Sequence, residues 1–164
     1  MKENKTGIFF TLALLLAFNA FALENARDVT EKGIEYGKAH NYDAAIQEFN
    51  KALKLDPKYV PAYANRALAY QGKDDFKQAI SDCDKAIRLD SNYLPAYINR
   101  GIIYGAEKNY DRAILDFNKA IEVKPDYAMA YYSRALAYYY KKNYRKSWDD
   151  IHKVQSLKYK VNDV

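Results

Sequence analysis

From Ala26 onward the apolar residues recur at helical spacing rather than in alternation. Within 60–93, Tyr63, Ala67 and Tyr70 form one stripe, and Ala79, Ile80, Cys83, Ala86 and Ile87 form a second. Steps of three and four residues bring such positions onto one face of a helix, so each stripe predicts an amphipathic helix, with a short polar turn between them. The same pattern returns every 34 residues without insertion or deletion. Tyr36, Tyr70, Tyr104 and Tyr138 share one column, and Tyr42, Phe76, Tyr110 and Tyr144 share another. Small residues keep the same register at Gly33, Ala67, Gly101 and Ala135, and again at Ala45, Ala79, Ala113 and Ser147. Self-similarity at this period predicts stacked two-helix units at 26–59, 60–93, 94–127 and 128–161, followed by a short tail at 162–164. Pro57 and Pro125 are placed to end second helices, whereas Pro61 and Pro95 suit a first helical turn, where a missing donor is harmless. Asn41, Asp75, Asn109 and Asn143 fill the inter-helix turn, a place for residues that tolerate the left-handed conformation.

Residues 1–22 have a different character. Lys2 and Lys5 precede an apolar run from Ile8 to Phe18 broken only by Thr11, and Ala20 and Ala22 supply a small-x-small pattern. This arrangement predicts a signal peptide cleaved after Ala22, and hence a periplasmic or secreted protein. The run falls short of the roughly 20 residues a spanning helix needs, which makes an uncleaved anchor the weaker alternative.

The run Tyr97, Gly101, Tyr104, Ala113, Phe117, Ala120 and Pro125 resembles the signature of the tetratricopeptide repeat family, with Tyr97 at the usual Trp position. Val29 in the first unit, and Ser147, Val154 and Tyr159 in the fourth, depart from it. The resemblance implies an all-α, right-handed solenoid of four helix-turn-helix repeats whose first helices line a concave groove for peptide segments. Carried over position by position, it implies a groove face of Thr30, Ile34, Lys38, Asn65, Leu68, Ile98, Asn99, Ile102, Met129, Tyr132, Leu136 and Tyr139. That face is mostly apolar, and the amides of Asn65 and Asn99 would hold a bound backbone. Some of its apolar members, Leu68, Ile102 and Leu136, could equally be packed between units, because periodic apolar residues usually are. In the chaperone-binding branch of the family a basic clamp grips a terminal carboxylate. Thr30, Ile34, Pro95 and Asn99 stand at most of that clamp's positions here and only Asn65 resembles it, which argues against chaperone tails as ligands.

Composition narrows the chemistry. One Cys, six Gly and two His leave no disulfide framework, no glycine-rich phosphate cradle and no metal-ligand spacing, so neither a cofactor nor a catalytic set is expected. Cys83 shares a column with Phe49, Phe117 and Ile151, as a buried core thiol would. The net charge of +5 is too small to predict nucleic-acid binding. Its distribution is uneven, because residues 141–160 hold seven bases against Asp149 and Asp150. Such a patch suits an anionic envelope surface or an acidic partner, and equally a plain solvated face.

Two polar ladders follow the 34-residue period. Lys32, Arg66, Arg100 and Arg134 form one; Glu48, Asp82, Asp116 and Asp150, each 16 residues later, form the other. Pairing between them is expected, since a guanidinium binds a carboxylate through two parallel bonds; a row of bases awaiting an anionic ligand is the alternative. Trp148, Ile151, Val154 and Leu157 recur at packing intervals on the last helix. With no further unit after them, association through this edge is expected, either with a second copy or with a partner.

Overall fold

The computed structural model describes residues 25–157; the expected signal peptide, Lys158, Tyr159, Lys160 and the tail at 162–164 lie outside them. The described residues form eight helices and no strand. In chain order these are α1 Ala26–Lys38, α2 Tyr42–Leu55, α3 Val60–Gly72, α4 Phe76–Leu89, α5 Leu94–Ala106, α6 Tyr110–Val123, α7 Ala128–Tyr140 and α8 Tyr144–Ser156. Odd helices are the first, and even helices the second, of each unit.

Local chemistry sets the boundaries. Each second helix begins at an Asn or Asp whose side-chain oxygen accepts from the amide three residues on: Asn41 from Ala44, Asp75 from Gln78, Asn109 from Arg112 and Asn143 from Lys146, at 3.2–3.3 Å. These residues are therefore caps with negative φ. The left-handed residue is the one before each, namely His40, Asp74, Lys108 and Lys142, with φ of 57–61°. This corrects the sequence expectation, and the reason is geometric: the chain must leave the first helix through a left-handed residue before the next can serve as an N-cap. Pro61 and Pro95 lie in the first turns of α3 and α5. Tyr63, Tyr97 and Tyr131 fasten the preceding loops by donating their hydroxyls to the carbonyls of Pro57, Ser91 and Pro125 at 3.0–3.1 Å.

Each first helix packs on its own second helix and on the first helix of the next unit, while each second helix touches only first helices. First helices that contact one another, beside second helices that do not, place α1, α3, α5 and α7 on the inner side of a curved stack. Gly33 and Gly101 permit a close approach, for a Cβ there would lie 2.5 Å from the Phe49 ring and 2.6 Å from the Phe117 ring. Cys83 is fully buried beside Ala67, Ala79 and Ile103, and burial pushes its thiol pKa up to about 12. A free thiol titrates near 8.5, so this contribution to stability is fully present below about pH 8.5 and is lost as pH rises toward 12. Between pH 8 and pH 10 the wild type should lose about 2 kcal/mol more than Cys83→Ala in urea unfolding. Equal losses would show that the thiol ionises as freely folded as unfolded.

Candidate functional site

The inner face carries hollows at the first and third unit junctions. The first, about 320 Å³, is lined by Ile34, Gly37, Lys38, Tyr42, Phe49, Asn65, Leu68 and Ala69 between units one and two. The second, about 190 Å³, is lined by Gly101, Ile102, Gly105, Tyr110, Phe117, Ser133, Leu136, Ala137 and Tyr140 between units three and four. The two occupy the same place two repeats apart: Ile34 answers to Ile102, Gly37 to Gly105, Tyr42 to Tyr110, Phe49 to Phe117, Leu68 to Leu136 and Ala69 to Ala137.

The packing beneath these two hollows differs from that at the middle junction. Units one and three each combine Gly, Phe and the next unit's Ala, as Gly33, Phe49 and Ala69 and as Gly101, Phe117 and Ala137. The junction between units two and three instead combines Ala67, Cys83 and Ile103, and Ile103 is fully buried. A large ring from the second helix thus meets small residues on the first helices, and a small thiol meets a branched side chain, which keeps the core filled at every step. Gly37 and Gly105 stand where the middle unit has Gln71, and a Cβ at either glycine would meet nothing within 4 Å. Small residues on the inner face leave the first and third junctions open.

Ile34, Lys38, Asn65, Leu68, Ile102 and Leu136 of the expected groove line these hollows. Leu68, Ile102 and Leu136 remain 41%, 38% and 41% exposed. Three other expected residues do not face the groove. Thr30 is buried with its hydroxyl on the Ala26 carbonyl, and Ile98 packs in the core with Tyr97 and Phe117. Asn99 is buried, its amide donating across the unit boundary to the Ala64 carbonyl at 3.1 Å. The Asn65 amide donates to the Pro61 carbonyl at 2.8 Å. Each amide expected to hold a ligand backbone thus has one N–H engaged within the fold, Asn65 on its own helix and Asn99 across the unit boundary. Met129 and Tyr132 are half-buried outside both hollows, and exposed Tyr139 lies edge-on to Tyr140 and Tyr144. Sequence reasoning missed Gly37, Tyr42, Ala69, Tyr110, Ser133, Ala137 and Tyr140. Their signal was the difference between odd and even units, which the search for a single repeat averaged away.

The ladders form clamps. Arg66, Arg100 and Arg134 each donate through Nε and Nη2 to both carboxylate oxygens of Asp82, Asp116 and Asp150, at 2.6–2.9 Å. Each also reaches back through Nη1 to the preceding unit, meeting Asn50 at 2.5 Å, Asp84, and Asn118 at 2.6 Å. One guanidinium thus ties two repeats, with its face over Tyr63, Tyr97 or Tyr131. Hydrogen bonds to Asp116 and Asp150 hold Arg100 and Arg134 above the usual guanidinium range, and burial pushes the Asp82 and Asp116 carboxyls up against the pull of their arginines. In the first unit Glu48 accepts from Lys51 at 2.5 Å, one turn along its own helix. His40 bonds the Tyr42 hydroxyl while His152 lies against Trp148, and no group of ligating side chains able to hold a metal occurs among the described residues. No helix among them is long and apolar enough to cross a membrane.

An all-helical stack of this kind, with an apolar inner face and polar clamps between units, defines a repeat scaffold of the protein-interaction type. Tetratricopeptide repeat models match residues 60–93 and 95–127, and a TPR repeat model matches 35–74; the chain belongs to the tetratricopeptide repeat family. Among solved structures, the crystal structure of MamA is 28% identical and superposes with a TM-score of 0.74 over 82% of this chain and 78% of that one. The first TPR domain of Spaghetti (RPAP3), solved bound to the HSP90 peptide SRMEEVD, is 29% identical with a TM-score of 0.63 over 80% of this chain and 96% of that one. An uncharacterised protein of Methanocaldococcus jannaschii is 38% identical over 47 residues, which cover 29% of this chain and 55% of that protein's length.

Proposed function

We propose that the chain is an exported, non-catalytic adapter that binds an extended protein segment through two apolar side chains, one in each hollow. The carrying observation is the pair of equivalent apolar hollows two repeats apart, each beneath an exposed Leu and an Ile that is half-buried in the first and exposed in the second. Packed helices stand 8–10 Å apart, so the hollows are separated by about 20 Å, or about six residues of extended chain. The four units hold the hollows at a fixed separation before any ligand arrives, which reduces the entropy lost on binding.

The groups that could do chemistry support the non-catalytic reading. Asp82, Asp116 and Asp150 are held by arginine and the Cys83 thiol is buried. The HSP90 peptide seen with the RPAP3 domain, SRMEEVD, has three acidic residues among its last four. In this chain Thr30 is buried and Ile34, Pro95 and Asn99 are uncharged at the clamp positions, which favours apolar anchors over such a tail. Export rests on the pattern of Lys2, Lys5, the 8–18 apolar run and Ala20-Phe21-Ala22; an amino terminus at Leu23 on the protein recovered from its native host would support it.

Peptides selected from a random display library on residues 23–164 should carry two large apolar residues about six apart. Leu68→Asp with Leu136→Asp places a carboxylate at each hollow on partly exposed positions, so the variant should fold as the wild type does by circular dichroism. It should bind the selected peptides about tenfold or more weaker. Equal binding by a folded variant would move the site off the inner face.

A further inference from the structure

The outer edge of α8 repeats a face whose covering is seen three times within this molecule. In units one to three the second helix is covered by the first helix of the next unit, which half-buries Tyr42, Phe76 and Tyr110 and buries or half-buries Ile46, Ile80 and Ile114. The same columns in α8 hold Tyr144, 58% exposed, and Trp148, 61% exposed, with His152 exposed beside the indole at a ring separation of 4.9 Å. We infer that this edge is a second binding site, separate from the inner face, and that it takes an amphipathic helix from another protein with a small-residue apolar face and carboxylates at two set positions.

The internal junctions specify that helix. Each covering helix presents Ala62, Ala96 or Ala130, and one turn later an arginine that bonds Asn50, Asp84 or Asn118. His152 stands in the column of those three acceptors; its imidazole offers a carboxylate an N–H in either protonation state, whereas it can accept from an arginine only when neutral, so a carboxylate is the better-matched partner. A second column pair fixes the far end. Asp43 bonds Lys73 and Asp111 bonds Lys141 across unit boundaries, and between units two and three the same columns hold Lys77 and Glu107 with the signs reversed. Arg145 occupies this column in α8 and is exposed, calling for an acidic residue just past the end of the covering helix.

A second copy does not meet this description. Continuing the stack head to tail would bury Asp28, Glu31 and Glu35 of α1, which are exposed here and occupy columns filled in units two to four by Ala, by Asn or Ser, and by Ala or Ile. Three buried carboxylates disfavour that contact. A two-fold contact through α8 would set Lys142 and Arg145 of one copy against the same patch on the other.

The chain supplies its own probe and reporter. The helix α5 with Glu107 covers the one junction whose acceptor column carries a base, Lys77, so a stapled peptide of residues 94–107 with Arg100→Glu is the matched ligand. Trp148 is the single tryptophan, and its emission reads coverage of this edge directly. The Arg100→Glu peptide should shift the emission to the blue in a saturable way and bind at least about tenfold tighter than the peptide retaining Arg100. His152→Asn, which restores the acceptor of the internal junctions, should abolish that gain, whereas Arg145→Glu should weaken both peptides alike and Glu107→Lys in the peptide should restore their binding. The inference is overturned if the two peptides bind alike or not at all, or if concentrating the protein alone shifts the emission, which would identify a second copy. It is also overturned if removing residues 158–164 shifts the emission of the free protein to the red, or if only vesicles containing anionic lipid produce the blue shift.

Discussion

Replacing Arg100 by Met should lower the unfolding free energy by about 3–5 kcal/mol, the usual cost of removing one partner from a buried ion pair. Arg100 is the rung with two carboxylates, Asp116 in its own unit and Asp84 in the unit before. Asp116 is 4% exposed and loses both bonds at once, leaving two negative charges facing the space the guanidinium filled. The cost arises from the stranded charges more than from lost attraction. Arg100→Met combined with Asp116→Leu should therefore recover most of it, since a well-packed apolar pair often replaces a buried ion pair without loss. Urea midpoints of the two variants decide the matter. A single variant as stable as the wild type would show that the arginine row does not hold the units together, and would return it to the role of an anion site.

Exchanging the packing of one junction for that of its neighbour should separate stability from binding. Phe117→Cys alone removes a buried ring and should cost about 3 kcal/mol or more, because the surrounding helices cannot close fully on the space. Gly101→Ala alone drives a methyl to within 2.6 Å of that same ring and should cost about 1–3 kcal/mol. Made together with Ala137→Ile, the substitutions rebuild the combination already present at Ala67, Cys83 and Ile103, so the triple variant should lie within about 1.5 kcal/mol of the wild type. The second hollow would then lack Phe117 and carry a larger side chain at position 137. Display-selected peptides should retain only the anchor that enters the hollow at Ile34 and Leu68. If the triple variant is as unstable as Phe117→Cys, the three residues are not the interchangeable set that their alternation indicates.

The same alternation shows where sequence reading stopped. Laying four units over one another made Gly33, Ala67, Gly101 and Ala135 a column of small residues, and put Cys83 with Phe49 and Phe117 as a core position. Both descriptions hold, but neither reveals that Gly33 and Gly101 each accompany a Phe while Ala67 accompanies Cys83 and Ala135 accompanies Ile151, because the two columns lie on different helices. Thr30, Ile98 and Asn99 show a related limit. Periodicity places them on first helices, but whether a side chain there meets solvent depends on how closely the next first helix approaches. The ladder pairing was suggested by a constant offset of 16 residues, yet Asn50, Asp84 and Asn118 emerged only when one guanidinium was seen to reach two units.

By itself the sequence determined the all-helical stack, its 34-residue period, the polar turn within each unit and the placing of apolar faces, because these depend on spacing within about one turn or one repeat. The tertiary structure alone decided which of those apolar positions stay exposed and which amides are already engaged. Those outcomes depend on the distance between helices, which is set by the combined volumes of side chains from three separate segments.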